Sequence, residues 1–221
     1  MGVGGCHDGR VLTISPDGRE LAALLPPRGT RFLLGLAGAP GVGKSTMAAA
    51  IAALTGASVV PMDGFHLADV ELSRRGILDR KGAPETFDAW GYAALLARLR
   101  ARVSHDVLAP TFDREDLEQP IAGAISVPPD AGLVVTEGNY LLLDSAPWRA
   151  VREQLDAVWF LHAPEQGRVA MLIDRHVASG KTRPDARRWV ARVDRPNARL
   201  IEETAHRADL VLDLTGWRGS A

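Results

Sequence analysis

Short, unbroken apolar runs alternate along the chain with longer stretches of helical periodicity. Phe32-Leu33-Leu34-Gly35-Leu36-Ala37 is the first such run, and residues 57–62, 133–138, 157–161 and 210–214 repeat the pattern. Runs of four to eight mostly apolar residues predict strands buried on both faces, the habit of parallel sheets covered by helices. Between them, residues 47–55 predict a helix stopped by Gly56. Residues 88–103 place Tyr92, Leu95, Leu96 and Leu99 on one helical face behind an Asp88 cap, and residues 165–179 carry Val169, Leu172 and Ile173 ahead of Gly180. A short helix is expected over 148–154, and another from near Pro184 that carries Trp189, Val193 and Ile201. Strands and helices in alternation predict an α/β fold, a three-layer doubly wound parallel sheet.

The rest of the chain is punctuated rather than periodic. Residues 1–30 read as a partly disordered preamble, with a turn at Ser15-Pro16-Asp17-Gly18 and a brief helix over 20–25 that Pro26-Pro27 ends. Residues 31–215 then form the domain, and 216–221 a polar tail. Residues 73–90 hold too many breakers for one long element and predict a substrate flap. Residues 107–115 start as a strand and end in a dense charge cluster, with 124–127 as the partner strand.

Between the first strand and the first long helix stands Gly38-Ala39-Pro40-Gly41-Val42-Gly43-Lys44-Ser45-Thr46, which fits G-x-x-x-x-G-K-[ST] at every fixed position. A triphosphate packs many anionic oxygens into a small volume. Binding it takes several backbone N–H donors at once, and glycines let the backbone come that close. Lys44 can reach the β- and γ-phosphates, Ser45 can ligate Mg²⁺, and the helix that begins here points its positive end at the anion.

Ligands bind at the carboxyl ends of the strands in open parallel sheets. The second strand delivers Asp63 there, a candidate base, though a turn or helix cap would use the same residue. The third delivers Glu137, and a buried strand seldom ends in a carboxylate unless a cation or donor answers it, so Glu137 suits a metal contact beside Ser45. Arg168, Arg175, Lys181, Arg183, Arg187 and Arg188 form a basic cluster around Gly180. Arg187 and Arg188 fit a solvated helix face. Arg175 and Arg183 flank the glycine turn, as expected of a mobile lid that clamps phosphate.

Composition narrows the class. A chain of 221 residues, 46% hydrophobic and 24% charged, suits one domain with a full core. A net charge of −1 offers nothing to a nucleic acid or an anionic membrane. Cys6 is the single cysteine, so no intramolecular disulfide forms, and an inert thiol in a reducing cytoplasm is expected. The opening Met1-Gly2-Val3-Gly4-Gly5-Cys6 lacks the Ser or Thr of a myristoylation signal, and no run approaches the roughly 20 apolar residues of a membrane span. Oligomeric state stays open, a homodimer included.

Five blocks in order, Gly38 to Thr46, Met62 to His66, Arg80 to Asp88, Phe112-Asp113-Arg114 and Val135 to Tyr140, resemble the P-loop kinases that include uridine kinase, phosphoribulokinase and bacterial pantothenate kinase. The resemblance is greatest to bacterial nucleoside kinase-like proteins assigned to fructose transport systems, and it spans residues 31–214. It implies that Asp63 accepts the proton of the substrate hydroxyl, that Glu137 helps hold Mg²⁺, and that the lid arginines follow. Asp63, His66, Lys81, Phe87, Asp113, Arg114, Glu137 and Arg168 are the candidate substrate contacts. The expected activity is ATP- and Mg²⁺-dependent phosphorylation of a hydroxyl on a small metabolite, a nucleoside or sugar, with a pantothenate kinase-like activity as the alternative. A P-loop hydrolase or switch is the competing class. A GTPase would carry an Asn-Lys-x-Asp motif, which is absent from the sequence.

Overall fold

In the computed structural model, residues 11–27, 31–114 and 117–219 are described. Cys6 and the expected disordered tail lie outside them. Among the described residues eight strands occur, β1 (Val11–Thr13), β2 (Phe32–Gly38), β3 (Ser58–Pro61), β4 (Val107–Phe112), β5 (Pro120–Val127), β6 (Leu133–Gly138), β7 (Ala157–His162) and β8 (Leu210–Asp213). The helices are α1 (Leu21–Leu24), α2 (Lys44–Thr55), α3 (Asp69–Arg75), α4 (Ala89–Arg100), α5 (Ala146–Glu153), α6 (Glu165–Ala178), α7 (Arg183–Trp189) and α8 (Arg195–Glu202). Six strands pair in the order β1-β8-β7-β2-β6-β3, every pair parallel.

The unbroken apolar runs follow from burial on both faces. Along β2, Leu33 and Ala37 pack into one core with Tyr92, Leu96, Trp148 and Ile201, while Leu34 and Leu36 pack into the other with Met47 and Ile51. β7 alternates in the same way, Val158 and Phe160 to the first core, Trp159 and Leu161 to the second. The period of two survives, but both phases are apolar. This is the three-layer arrangement expected.

Caps explain the helix boundaries. Asp88 accepts from the Gly91 N–H at 2.8 Å to start α4. Gly56, left-handed at φ 76°, closes α2 through its N–H to the Ala52 carbonyl.

Two features differ from the sequence reading. Val11–Thr13 is no preamble to the sheet but its edge strand, in register with Val211–Asp213, and Trp217 of the expected polar tail packs against the core. Three residues are too few to show a period, which is why β1 escapes notice. The helix expected from Pro184 through Ile201 is also not uniform, because a π turn, Val190–Asp194, separates α7 from α8.

β4 and β5 form a separate antiparallel hairpin. It sits against the chain after β3 at Gly64, where a Cβ would lie 2.4 Å from the Pro110 carbonyl oxygen. That oxygen is backbone and cannot turn aside. Gly64→Ala is therefore expected to cost roughly 1–3 kcal/mol, read as a lower Tm, because the hairpin must back away. An unchanged Tm would show that the approach is loose.

Candidate active site

Register assembles the site. In the sheet, β6 lies between β2 and β3, with Glu137 opposite both Leu36 and Pro61. Two residues beyond those partners come Gly38, which opens the phosphate loop, and Asp63, in the 3₁₀ turn after β3. The three strand ends thus bring loop, metal-type carboxylate and candidate base to one edge, as expected from position alone. Gly38 must be glycine, since a Cβ there would meet the Leu161 carbonyl oxygen at 2.7 Å.

A cavity of about 540 Å³ opens over this edge, lined by Lys44, Asp63, His66, Arg114, Glu137 and Arg175 among others. Lys44 is buried, and its ammonium donates to the carbonyls of Gly38 and Ala39 at 3.0 and 3.3 Å and to Asn139 Oδ1 at 2.6 Å. Burial pushes its pKa down to about 8, against the pull of Glu137 and Asp63. Phosphate oxygens would supply the counter-charge that these carbonyls lack.

Ser45 Oγ donates to Glu137 Oε1 at 3.0 Å. Burial, then the nearby Asp63 charge, raises the Glu137 carboxyl above the ordinary carboxylate range. Among the described residues no cluster of three or more His, Cys, Asp or Glu side chains could hold a metal. Mg²⁺ asks for less, one or two protein oxygens with nucleotide phosphates and water completing the shell. An adjacent hydroxyl and buried carboxylate fit that requirement.

Asp63 forms an ion pair with Arg114, which the hairpin carries in. His66 is wedged between Phe87 and Phe112, ring centroids 4.0 and 4.5 Å away, with its Nδ1 2.8 Å from the Asp63 carbonyl oxygen. Burial lowers its pKa, against the pull of Asp63, and so favours the neutral imidazole. Lys81 lines the cavity and joins flap to hairpin, donating to Asp69 Oδ1 and the Glu118 carbonyl, both at 2.7 Å. Arg175 is exposed at the rim but lines the cavity, where partial desolvation and then the Arg114 charge lower its pKa.

Three expected site residues lie elsewhere. Arg168 is no substrate contact: 4% exposed, it donates to the Pro40 carbonyl at 3.4 Å and the Ala163 carbonyl at 3.3 Å, with an ion pair to Glu202. It ties the phosphate loop to α8 from behind. Arg183 turns outward, exposed and paired with Asp174 at 2.8 Å. Asp113 closes the hairpin, its N–H donating to the Gln119 carbonyl at 2.9 Å, and does not line the cavity. Conversely, His176, Asp194 and Asn197 line the cavity without a motif to announce them, and so does Asn139, which stands in the Val135 to Tyr140 block but carries no expected role.

No family model matches the chain. It is 36% identical over 210 residues to YggC of Escherichia coli, a protein named as uncharacterized, covering 92% of this chain and 81% of that one. It is 32% identical over 195 residues to a provisionally named uridine kinase of Schizosaccharomyces pombe, covering 82% and 83%. Among solved structures, it is similar to a provisionally named fructose transport system kinase of Silicibacter, with 40% identity and a TM-score of 0.77 over 87% of this chain and 95% of that one. Among the described residues no helix is long and apolar enough to cross a membrane.

Proposed function

Since the chain belongs to the uridine kinase superfamily of P-loop kinases and is an ATP-dependent phosphotransferase acting on a small-molecule hydroxyl, we propose that its acceptor is a nucleoside or sugar and that Mg²⁺ assists the transfer. The observation that carries this reading is the meeting of Lys44, the Ser45–Glu137 pair and Asp63 around one cavity. Lys44 exchanges its carbonyl partners for the β- and γ-phosphates. Ser45 and Glu137 hold the metal, which when bound neutralises charge on those phosphates. Asp63 takes the proton from the acceptor hydroxyl as that oxygen bonds to the γ-phosphorus and the β–γ bridging bond breaks, releasing ADP. Arg114, freed from Asp63, and Arg175 meet the charge spread over the moving phosphoryl group. Arg183 joins them only if residues around Gly180, left-handed at φ 89°, swing the lid inward. The cytoplasm, which supplies ATP and Mg²⁺, is the fitting compartment.

The test is ADP release from ATP and Mg²⁺ across a panel of nucleosides, sugars and pantothenate. Turnover that depends on a nucleoside or sugar supports the reading, and ATP hydrolysis indifferent to every acceptor overturns it.

Glu137→Gln is expected to act in two opposite directions. Turnover needs more Mg²⁺, and excess Mg²⁺ restores part of the rate. In metal- and nucleotide-free protein the variant is the more stable. A raised carboxyl pKa in the folded state favours folding below the ordinary carboxylate range, and that contribution is lost as pH rises through the raised value. A neutral amide escapes this loss, so its Tm advantage is present near pH 8 and shrinks towards pH 4. A lower Tm at pH 8 would show that the carboxylate holds the loop together.

A further inference from the structure

The cavity has a wall that phosphoryl transfer does not use. A continuous helical stretch runs from Arg183 to Glu202, and in its middle the Arg195 N–H bonds to the Val190 carbonyl, five residues back. Pro196 is the cause. It has no N–H, and in an α-helix its ring would strike the carbonyl of Arg192, so the helix widens by one residue just ahead of it. An extra residue rotates the downstream turns of the helix by about 100°.

The rotation matters for two side chains. Asp194 is 8% exposed yet lines the cavity, and Asn197, on the same helical face, lines it too. A carboxylate so buried needs an answering group. His176 provides one from α6, its Nε2 2.9 Å from Asp194 Oδ2. The Asp194 charge also acts on Arg175, which lines the same cavity, and on Tyr140, whose hydroxyl donates to the carbonyl of Gly82, a flap residue in the cavity lining. Lys181, which lines the cavity with Arg175, lies over the Trp189 ring at 5.1 Å.

We propose that Asp194 and Asn197 bind adjacent hydroxyls of a neutral polyol acceptor, a free sugar or the sugar of a nucleoside, with His176 positioning the Asp194 carboxylate. Each hydroxyl both donates and accepts. A carboxylate that accepts beside a carboxamide that does both is complementary to a vicinal diol. An acceptor that sets its own carboxylate at this wall, rather than beside Lys81 or Arg114 elsewhere in the cavity, meets the Asp194 charge and is disfavoured. The inference rests on the kinase reading and narrows its acceptor.

The experiment measures acceptor-dependent ADP release with ribose, fructose, uridine, pantothenate and glycerate, for the parent protein, Asp194→Asn and Asn197→Ala. The neutral polyols are expected to serve and the two carboxylates to fail. Each variant is expected to raise the acceptor KM roughly tenfold, while kcat at saturating acceptor and the KM for ATP stay within about twofold. A merely structural role would move the ATP constants and Tm together and leave acceptor preference intact, which overturns the inference. Turnover with pantothenate or glycerate alone overturns it while the kinase reading stands. ADP release that no compound raises overturns both.

Discussion

Lys44→Ala is expected to lower kcat/KM for ATP by at least roughly 10³, with weaker ATP binding as well. Phosphoryl transfer involves little covalent chemistry for a protein to perform, so positioning and neutralisation of the phosphates carry most of the rate. Lys44 suits that task because its buried ammonium rests on the neutral carbonyls of Gly38 and Ala39 and the Asn139 amide, partners that phosphate oxygens outbid. Alanine also leaves those three oxygens without their donor. Lys44→Met, which keeps most of the volume, separates the two effects: loss of the same size in both variants at unchanged Tm assigns it to the charge. Near-normal kinetics in either would mean that this loop is not where transfer occurs.

Asp63→Asn is expected to cut kcat by roughly 10² to 10⁴ while ATP affinity stays nearly constant, since an amide takes no proton and no phosphate contact is lost. The Arg114 ion pair sharpens the test. If Asp63 served only to hold the hairpin, Asp63→Asn and Arg114→Gln would share one modest defect, and kcat would fall no further for the first than for the second. A fall in nucleotide affinity at unchanged kcat would likewise make Asp63 structural.

The residues readable from the sequence are those whose role follows from local order along the chain. The phosphate loop is contiguous, and Asp63 and Glu137 sit at strand ends, where a parallel sheet gathers its ligands whatever else it does. Every described strand but β1, and most helix ends, were legible for the same reason, as with the Asp88 cap and Gly56. Depth was not. Arg168 and Arg175 are seven residues apart and share a helical face, but the start of α6 passes beneath the phosphate loop and encloses Arg168. Spacing from Gly180 could not tell that Asp174 would draw Arg183 outward. Asp194 depends on helix phase, which Pro196 shifts by a residue; a proline within a helical pattern was the signal available.

The pairing of β1 with β8 sets a timetable for the newborn protein. Val11 faces Val211, a separation of 211 − 11 = 200 residues. At a synthesis rate of about 5–20 residues per second, the earlier strand waits roughly 10–40 s for its partner. In the last part of that interval, between the completion of β7 at His162 and the start of β8 at Leu210, β7 exposes the backbone groups that β8 will take. Slow codons between β7 and β8 would lengthen this wait, and a ribosome-bound chaperone that covers sheet borders would be of most use in the seconds before β8 is made.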